Sequence, residues 1–180
     1  MNKVYASAED SLLLLKHTKN LVNGYVLDMG AGSGIQAVEA AKKPEVIKVV
    51  AVDVNPEALI ATEVYAKKEK VIEKIQLIES DLFTKVEGLF DWILFNPPYL
   101  PSEEKIFDQT WDGGGKGVEV IEKFLNTAKE HMKPNSSILI IYSSETELDE
   151  NYGYNWLILE ELPLFFETIY CAQLTLINPF

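Results

Sequence analysis

The sequence predicts an α/β fold, a doubly wound and mostly parallel sheet, from three observations. Short apolar stretches rich in β-branched residues alternate with helical patterns of about 10–15 residues, which is typical of strand–helix–strand units. The composition, 47% hydrophobic and 24% charged, is that of a globular protein and excludes a disordered or coiled-coil chain. With 180 residues the chain has the length of one domain. We therefore expect residues 1–180 to form a single domain with a short N-terminal helix.

The elements follow one another regularly along the chain. The first helix is expected from about Ser7 or Glu9 to Lys19, where Ser7 and Asp10 form an N-terminal capping pattern. Proline positions help to define the later helices, which are predicted over 35–43, 56–70 and 118–132. Seven strands are predicted over 25–29, 49–53, 75–78, 91–95, 137–142, 156–162 and 168–177. In a doubly wound sheet ligands bind beyond the carboxyl ends of the strands, so the residues that follow each strand are the candidates for a site.

The charge balance is strongly acidic. The chain has 28 Asp and Glu against 16 basic residues, all of them Lys, and a net charge of −12. Residues 134–180 hold seven acids and no base. Specific readers of nucleic acids use a positive surface for phosphates and Arg for base edges. Direct nucleic-acid binding is therefore disfavoured.

The remaining composition predicts a cytoplasmic protein without membrane association. The single cysteine, Cys171, excludes an internal disulfide and is expected to be a small core residue. No apolar run approaches the roughly 18–20 residues of a membrane span, and the first residues lack the pattern of a signal peptide. His17 and His131 have no cysteine or acid at ligand spacing, so no metal site is expected.

A glycine-rich segment follows the first predicted strand. It reads Asp28-Met29-Gly30-Ala31-Gly32-Ser33-Gly34, and Gly30, Gly32 and Gly34 permit positive φ and the close approach of a ligand. Such a loop by itself also fits a dinucleotide site. The carboxylate of Asp28 before the glycines favours another ligand, because it would repel a pyrophosphate and attract a cationic amino-acid group.

Two further acids follow the second and third strands. Asp53 ends the second strand, where a carboxylate can accept both hydroxyls of a ribose. Asp81 follows the third strand with Leu82 beside it, and this pair suits the exocyclic amine and the face of an adenine. A cationic amino acid, a ribose and an adenine together describe S-adenosylmethionine, which is the cofactor that the sequence predicts.

The segment Asn96-Pro97-Pro98-Tyr99 ends the fourth strand and is the predicted reaction site. A planar NH₂ group is a poor nucleophile because its lone pair is delocalised. The side-chain oxygen of Asn96 and the carbonyl of Pro97 can each accept one of its N–H groups, while the prolines stiffen the turn and Tyr99 can lie against the planar group. Catalysis at such a site depends on positioning and electrostatics.

These segments resemble the class I S-adenosylmethionine-dependent methyltransferases that methylate amino groups, which carry D-x-G-x-G-x-G and N-P-P-Y in this order. The stretch from Asp112 to Glu119 is similar to the D-G-G-x-x-G stretch of glutamine methyltransferases that act on peptide chain release factors. Ala8-Glu9-Asp10-Ser11 resembles the P-A-E-D-[ST] segment of the archaeal and eukaryotic branch, with Ser7 in place of the proline.

This resemblance implies a Rossmann-like sheet of seven strands with the last strand antiparallel. It implies N5-methylation of the G-G-Q glutamine in a class 1 translation release factor, with Ser11 at the cofactor. The short archaeal and eukaryotic enzymes have a small zinc-binding activator protein as partner. In their strand order the strand Ile75–Ile78 lies at the sheet edge, where unpaired backbone groups are available. We therefore expect a heterodimer formed through that strand, which a proline at Leu77 should disrupt.

Two alternatives remain open from the sequence. The first is a nucleic-acid adenine-N6 methyltransferase, which shares N-P-P-Y but is opposed by the acidity and the absence of Arg. The second is a cofactor-binding subunit without catalysis, which the presence of Asn96 and Asp28 opposes. Trp111, beside the glycine-rich stretch, fits either the mouth of the substrate site or a packing role.

Overall fold

A single seven-stranded sheet organises the molecule, with the strand order β3-β2-β1-β4-β5-β7-β6. The computed structural model describes residues 7–98, 118–146, 148 and 152–177, with side chains from residue 9 onward. The strands are β1 (Gly24–Met29), β2 (Val46–Asp53), β3 (Ile75–Glu79), β4 (Phe90–Phe95), β5 (Met132–Ser143), β6 (Tyr154–Pro163) and β7 (Thr168–Leu176).

Four α-helices lie within the described part of the chain. They are α1 (Ser7–Leu21), α2 (Ile35–Ala41), α3 (Pro56–Lys68) and α4 (Glu119–Ala128), and short 3₁₀ turns follow α3 and α4. The helix α3 begins where expected because Asn55 accepts a hydrogen bond from the backbone N–H of Glu57 at 2.9 Å and Pro56 fills the first turn. No helix in the described ranges is long and apolar enough to cross a membrane.

The strand directions confirm the predicted fold class. The first five strands are mutually parallel, and β7 runs antiparallel to both β5 and β6. The strand β3 pairs with β2 alone and so lies at one edge of the sheet, as predicted, while β6 forms the other edge. The carboxyl ends of β1 to β4 therefore meet at one edge of the sheet.

Two apolar clusters cover the two faces of the sheet. On one face α4 packs Phe124 and Leu125 against strand residues such as Phe95, and on the other face α1 and α2 pack residues such as Leu14 against β1 and β5. Because both faces are covered, the central parallel strands are almost continuously buried. Cys171 lies in this core as predicted, and burial raises the pKa of its thiol to about 12.

Most predicted element ends lie within three residues of the observed ones, and two boundaries differ by more. The strand β5 begins at Met132, five residues before the expected Ser137, because its first residues form an irregularity opposite β4 in which Asn135 adopts a φ of 65°. Turn-forming residues at 133–136 hid this part of the strand. The preceding helix, expected to reach Met132, ends at Ala128 and continues as a 3₁₀ turn.

Candidate functional site

The carboxyl ends of β1 to β4 bring the predicted site residues together. Met29 lies beside both Val52 and Phe95 in the sheet. The residues that come next, which are Gly30 of the glycine loop, Asp53 and Asn96, therefore lie at the same height along the strands. Backbone hydrogen bonds join the connections, from Ala31 N–H to the Val52 carbonyl at 2.9 Å and from Ser80 N–H to the Asp53 carbonyl at 3.0 Å. The site is therefore assembled on rigid strand ends rather than on one loop.

The glycines of the loop meet two different requirements. Gly30, Gly32 and Gly34 have φ values of 68°, 54° and 78°, which non-glycine residues rarely adopt. At Gly34 an added Cβ would lie 2.7 Å from Thr62 Oγ1, so this glycine lets α2 and α3 approach. At Gly30 an added Cβ would meet no heavy atom closer than Phe95 Cε2 at 3.9 Å. Packing would therefore tolerate a Cβ at Gly30, and the positive φ is what favours glycine there.

Asp53 fixes the shape of this loop. One carboxylate oxygen accepts the backbone N–H of Gly32 at 2.9 Å, and the other accepts the N–H of Asn55 at 2.8 Å. Asp53 thus joins the glycine loop to the start of α3. Each oxygen has a further lone pair, so the half-buried carboxylate can also accept hydroxyl groups.

Asp28 is almost completely buried, with 2% of its surface exposed. Its Oδ2 accepts the N–H of Ala37 at 2.9 Å, which ties β1 to the first turns of α2. Burial raises the pKa of Asp28 to about 7, the Ala37 hydrogen bond opposes this rise, and the negative charge of Asp53 adds to it. Two neighbouring carboxylates, one of them buried, form a site that a cation would stabilise.

The connection after β3 carries a strained residue. Leu82 has a φ of 46°, and the Ser80 hydroxyl donates to its carbonyl at 2.9 Å. Asp81 beside it is exposed, while Leu82 packs partly against the cluster on the α4 face. Backbone strain of this kind in non-glycine residues is concentrated at ligand sites. At this turn an exposed acid, Asp81, lies next to an apolar side chain, Leu82.

Asn96 has a defined orientation. Its Nδ2 donates to Ser11 Oγ at 3.2 Å and to Asp10 Oδ2 at 3.4 Å. Its Oδ1 points elsewhere: this atom is buried and has no hydrogen-bond partner in the described structure. An unsatisfied buried acceptor is unfavourable by about 1–3 kcal/mol. The side chain is therefore held with a free acceptor beside Pro97, which is buried, and Pro98, which is half-buried.

Two positioning residues were not predicted as part of the site. The carboxylate of Asp10 accepts a hydrogen bond from Asn96 and so orients it. From the sequence, Asp10 was assigned only to the capping pattern of the first helix and to the segment that resembles P-A-E-D-[ST]. Gln36 is buried, donates to the Ser11 carbonyl at 2.8 Å and accepts from Thr18 Oγ1 at 3.1 Å. It thereby fixes α1 against α2, and no pattern in the sequence distinguished it.

Several predicted residues lie outside the described residues or have other contacts. Tyr99, Trp111 and the glycines at 113–117 lie outside the described residues. His17 contacts Glu160 at 3.0 Å, and His131 stacks on Phe83. The described ranges contain no group of three or more residues that could hold a metal ion.

Comparison with known proteins places this architecture in a family. The family model for the methyltransferase small domain matches residues 8–160. MJ0928 of Methanocaldococcus jannaschii, classed as a protein N5-glutamine methyltransferase, is 42% identical over 80% of this chain and 74% of its own length. Methyltransferase HEMK2 of Mus musculus is 30% identical over 82% of this chain and 75% of its own length.

The chain spans a smaller part of a bacterial relative. The release factor glutamine methyltransferase of Koribacter versatilis is 35% identical over 64% of this chain, and the match covers 45% of that protein. Among solved structures, the precorrin-6y C5,15-methyltransferase of Geobacter metallireducens GS-15 superposes with a TM-score of 0.64 at 17% identity, covering 97% of this chain and 92% of the other. That likeness shows the Rossmann-like fold. The chain belongs to the methyltransferase small domain family and, within it, to the protein N5-glutamine methyltransferases.

Proposed function

We propose that this protein transfers a methyl group from S-adenosylmethionine to the side-chain amide nitrogen of the G-G-Q glutamine in a class 1 translation release factor. The observation that carries the proposal is the buried, unpartnered Oδ1 of Asn96. An amide N–H is the group that would satisfy this acceptor. A release factor as substrate agrees with the predicted cytoplasmic location.

The residues at the strand ends fit the proposed cofactor. S-adenosylmethionine, when bound, supplies an electrophilic methyl group on a positively charged sulfur. Asp28 and Asp53 provide the negative charge that such a cation needs, and Gly30, which has no side chain, would let a ligand come close to the backbone. Asp53 would accept the ribose hydroxyls, and Asp81 with Leu82 would hold the adenine. Ser11, Gly32, Gly34 and Asn96 complete the proposed cofactor site.

Asn96 and Pro97 would hold the substrate amide. Asn96 Oδ1 accepts one N–H of the glutamine side chain and the Pro97 carbonyl accepts the other, which fixes the nitrogen in place. Pro98 and Tyr99 shape the slot around it. Nδ2 of Asn96 already donates to Ser11 Oγ and Asp10 Oδ2, which fixes the orientation of the amide group. Its Oδ1 therefore needs no reorganisation when the substrate arrives.

The same contacts stabilise charge during transfer. The glutamine nitrogen would become more positive as its bond to the methyl carbon forms and the carbon–sulfur bond breaks, which leaves a neutral thioether. Two carbonyl-type acceptors would stabilise that charge at the N–H groups of the nitrogen. The nitrogen would then lose one proton, which has become acidic, to water, and the neutral methylated amide remains. This sequence requires no strong base, so the polar but neutral Asn96 is sufficient.

The direct test is methylation of purified release factor with labelled cofactor, in the presence of the activator. We expect label in the factor, located at the G-G-Q glutamine by mass spectrometry of the peptide. A release factor with Gln→Ala in G-G-Q is the matched control and should remain unlabelled. Label in RNA or DNA with none in the release factor would refute the proposal and favour an adenine methyltransferase.

We further propose that a small zinc-binding activator protein pairs with the exposed edge of β3. This edge strand has half-buried apolar residues, Leu77 and Ile78, between the exposed Gln76 and Glu79. The helix α3, which packs on β2 and β3, also exposes Ile60 and Val64. An edge with unpaired backbone groups and neighbouring apolar side chains is suited to strand addition.

The variant Leu77→Pro tests this placement, since it removes a backbone donor from the edge strand. We expect loss of copurification with the activator while circular dichroism still shows a folded chain. Leu157→Pro on β6, the opposite edge of the sheet, is the control and should copurify normally. If the folded Leu77→Pro variant binds the activator as the parent does, the activator docks elsewhere.

A further inference from the structure

The hairpin between β6 and β7 ends in an exposed aromatic tip. Phe165 and Phe166 are 91% and 86% exposed, and their rings contact each other at 4.6 Å between centroids. Leu164 beside them is also exposed. We call Leu164, Phe165 and Phe166 the hairpin tip. Two adjacent, almost fully exposed phenylalanines are unfavourable in water and typical of surfaces that bind a partner.

The hairpin tip is held in a defined position. Leu164 N–H donates to the Glu167 carbonyl at 2.8 Å, which closes the four-residue turn. At its base the Ser143 hydroxyl donates to Glu167 Oε2 at 2.5 Å, and Ser144 Oγ accepts the Thr168 N–H at 3.0 Å. The hairpin is thus attached to the end of β5, so little conformational freedom is lost when a partner contacts the tip.

The tip lies at the same sheet edge as the candidate site. The strand β6 runs parallel to β5, so its end at Pro163 lies at the carboxyl edge, where Ser143 pairs with Ile169. In the strand order, one strand separates β4, which ends before Asn96, from β7. At the usual strand spacing the tip lies about 10–14 Å from β4 across the sheet. One protein domain can contact both places.

The charges around the tip indicate what it contacts. Residues 134–180 contain no base, and Glu145 and Glu161 near the hairpin ends are exposed. Glu160 is different, because Lys16 and His17 from α1 already bind its carboxylate. An apolar tip with the exposed carboxylates of Glu145 and Glu161 near its base complements a partner surface with an apolar recess and basic side chains.

We infer that the hairpin tip is a docking surface for the protein that presents the glutamine, and that it binds a basic surface of that protein outside the reacting segment. This inference rests on the proposed function. A second copy of this chain is disfavoured as occupant because it brings the same acidic hairpin and a net charge of −12. The edge of β3 proposed for the activator is at the opposite end of the strand order.

The test compares steady-state kinetics on purified release factor for the parent and the double variant Phe165→Ser/Phe166→Ser. We expect the KM for release factor to rise about tenfold or more, as for loss of aromatic anchors at an interface. The kcat at saturating factor and the dissociation constant for S-adenosylmethionine should stay unchanged, because the tip lies outside the catalytic site. Leu157→Ser, on β6 and 59% exposed, is the matched control and should keep the parental KM.

A second variant tests the charge, and the outcomes separate the two proposals. Glu161→Lys should raise the same KM, and the effect should diminish at high salt. A parental KM in the double variant would overturn the docking surface while leaving the proposed function intact. A parent that labels no release factor would refute the proposed function itself. Light scattering that shows a dimer in the parent and a monomer in the double variant would assign the tip to self-association and also overturn the inference.

Discussion

The two halves of the carboxyl edge of the sheet are built in opposite ways. On the side of β1 to β4, polar groups are buried or half-buried and fixed by hydrogen bonds, as Asp28 and Asn96 show. On the side of β5, β7 and β6, apolar and acidic side chains project into solvent. The first arrangement suits small groups that must be positioned accurately, and the second suits a protein surface. In our proposals, cofactor binding and methyl transfer lie on the side of β1 to β4, and recognition of the substrate protein lies on the side of β5, β7 and β6.

The largest expected effect is at Asn96. We expect Asn96→Ala to lower kcat by about 100- to 1000-fold, because it removes a preorganised group that stabilises developing charge. The dissociation constant for S-adenosylmethionine, measured by calorimetry, should change only a few-fold. Asp10→Asn is the companion variant: it weakens the acceptor that orients Asn96, so we expect a smaller loss of kcat. If Asn96→Ala lowered kcat and cofactor affinity by equal factors, Asn96 would not act mainly in the chemical step.

An intermediate effect is expected at Asp53. Asp53→Ala removes two hydrogen bonds that shape the glycine loop and the proposed acceptor of the ribose hydroxyls. Hydrogen bonds to a charged group contribute about 1.5–3 kcal/mol, so we expect roughly 10- to 100-fold weaker cofactor binding. Glu79→Ala, an exposed acid beside Asp53 in the sheet, is the control and should bind normally. Unchanged affinity in Asp53→Ala would place the cofactor elsewhere.

The smallest expected effect is on stability, at Asp28. Its pKa of about 7 in the folded chain exceeds its ordinary value of 3.8, so the protonated form stabilises the fold. That stability is fully present below about pH 4 and is lost as the pH rises through about 7. Asp28→Asn should therefore stabilise the cofactor-free protein by about 1–3 kcal/mol at about pH 8, and the difference should vanish near pH 4.

Denaturant unfolding of Asp28→Asn and its parent across this pH range measures the difference. The same variant should bind S-adenosylmethionine more weakly, because the buried negative charge that favours a cation is gone. A variant that is less stable than the parent at neutral pH would show that the Ala37 hydrogen bond outweighs the burial of charge.

The sequence predicted most of the fold because its patterns are local. Alternating apolar strands and helices predicted all seven strands, and Pro56 with Asn55 located the start of α3. The early start of β5 was missed because turn residues at 133–136 lie in an irregular stretch of that strand. Local composition there favours a turn, and the stretch belongs to the strand because Met132 and Ser137 on either side of it pair with β4.

The predicted site residues were recognisable because each lies at or just beyond the carboxyl end of a strand. A parallel sheet brings the carboxyl ends of its strands together at one edge. The order of strands and helices along the chain was therefore enough to assign four residues to that edge: Asp28, Asp53, Asp81 and Asn96. Gln36 and Asp10 could not be assigned in this way. Their contacts join α1 to α2 and to β4, and contacts between segments distant in sequence have no local signature.

The sequence by itself determined the fold class, the order of the elements and the set of polar residues at the strand ends, because these depend on periodicity and on residue type. The tertiary structure alone decided which atom of Asn96 is free, how far burial raises the pKa of Asp28, and that the acidic segment 134–180 presents an aromatic hairpin tip at the carboxyl edge of the sheet. Orientation, burial and exposure depend on the neighbours that packing supplies, and those neighbours come from elsewhere in the chain.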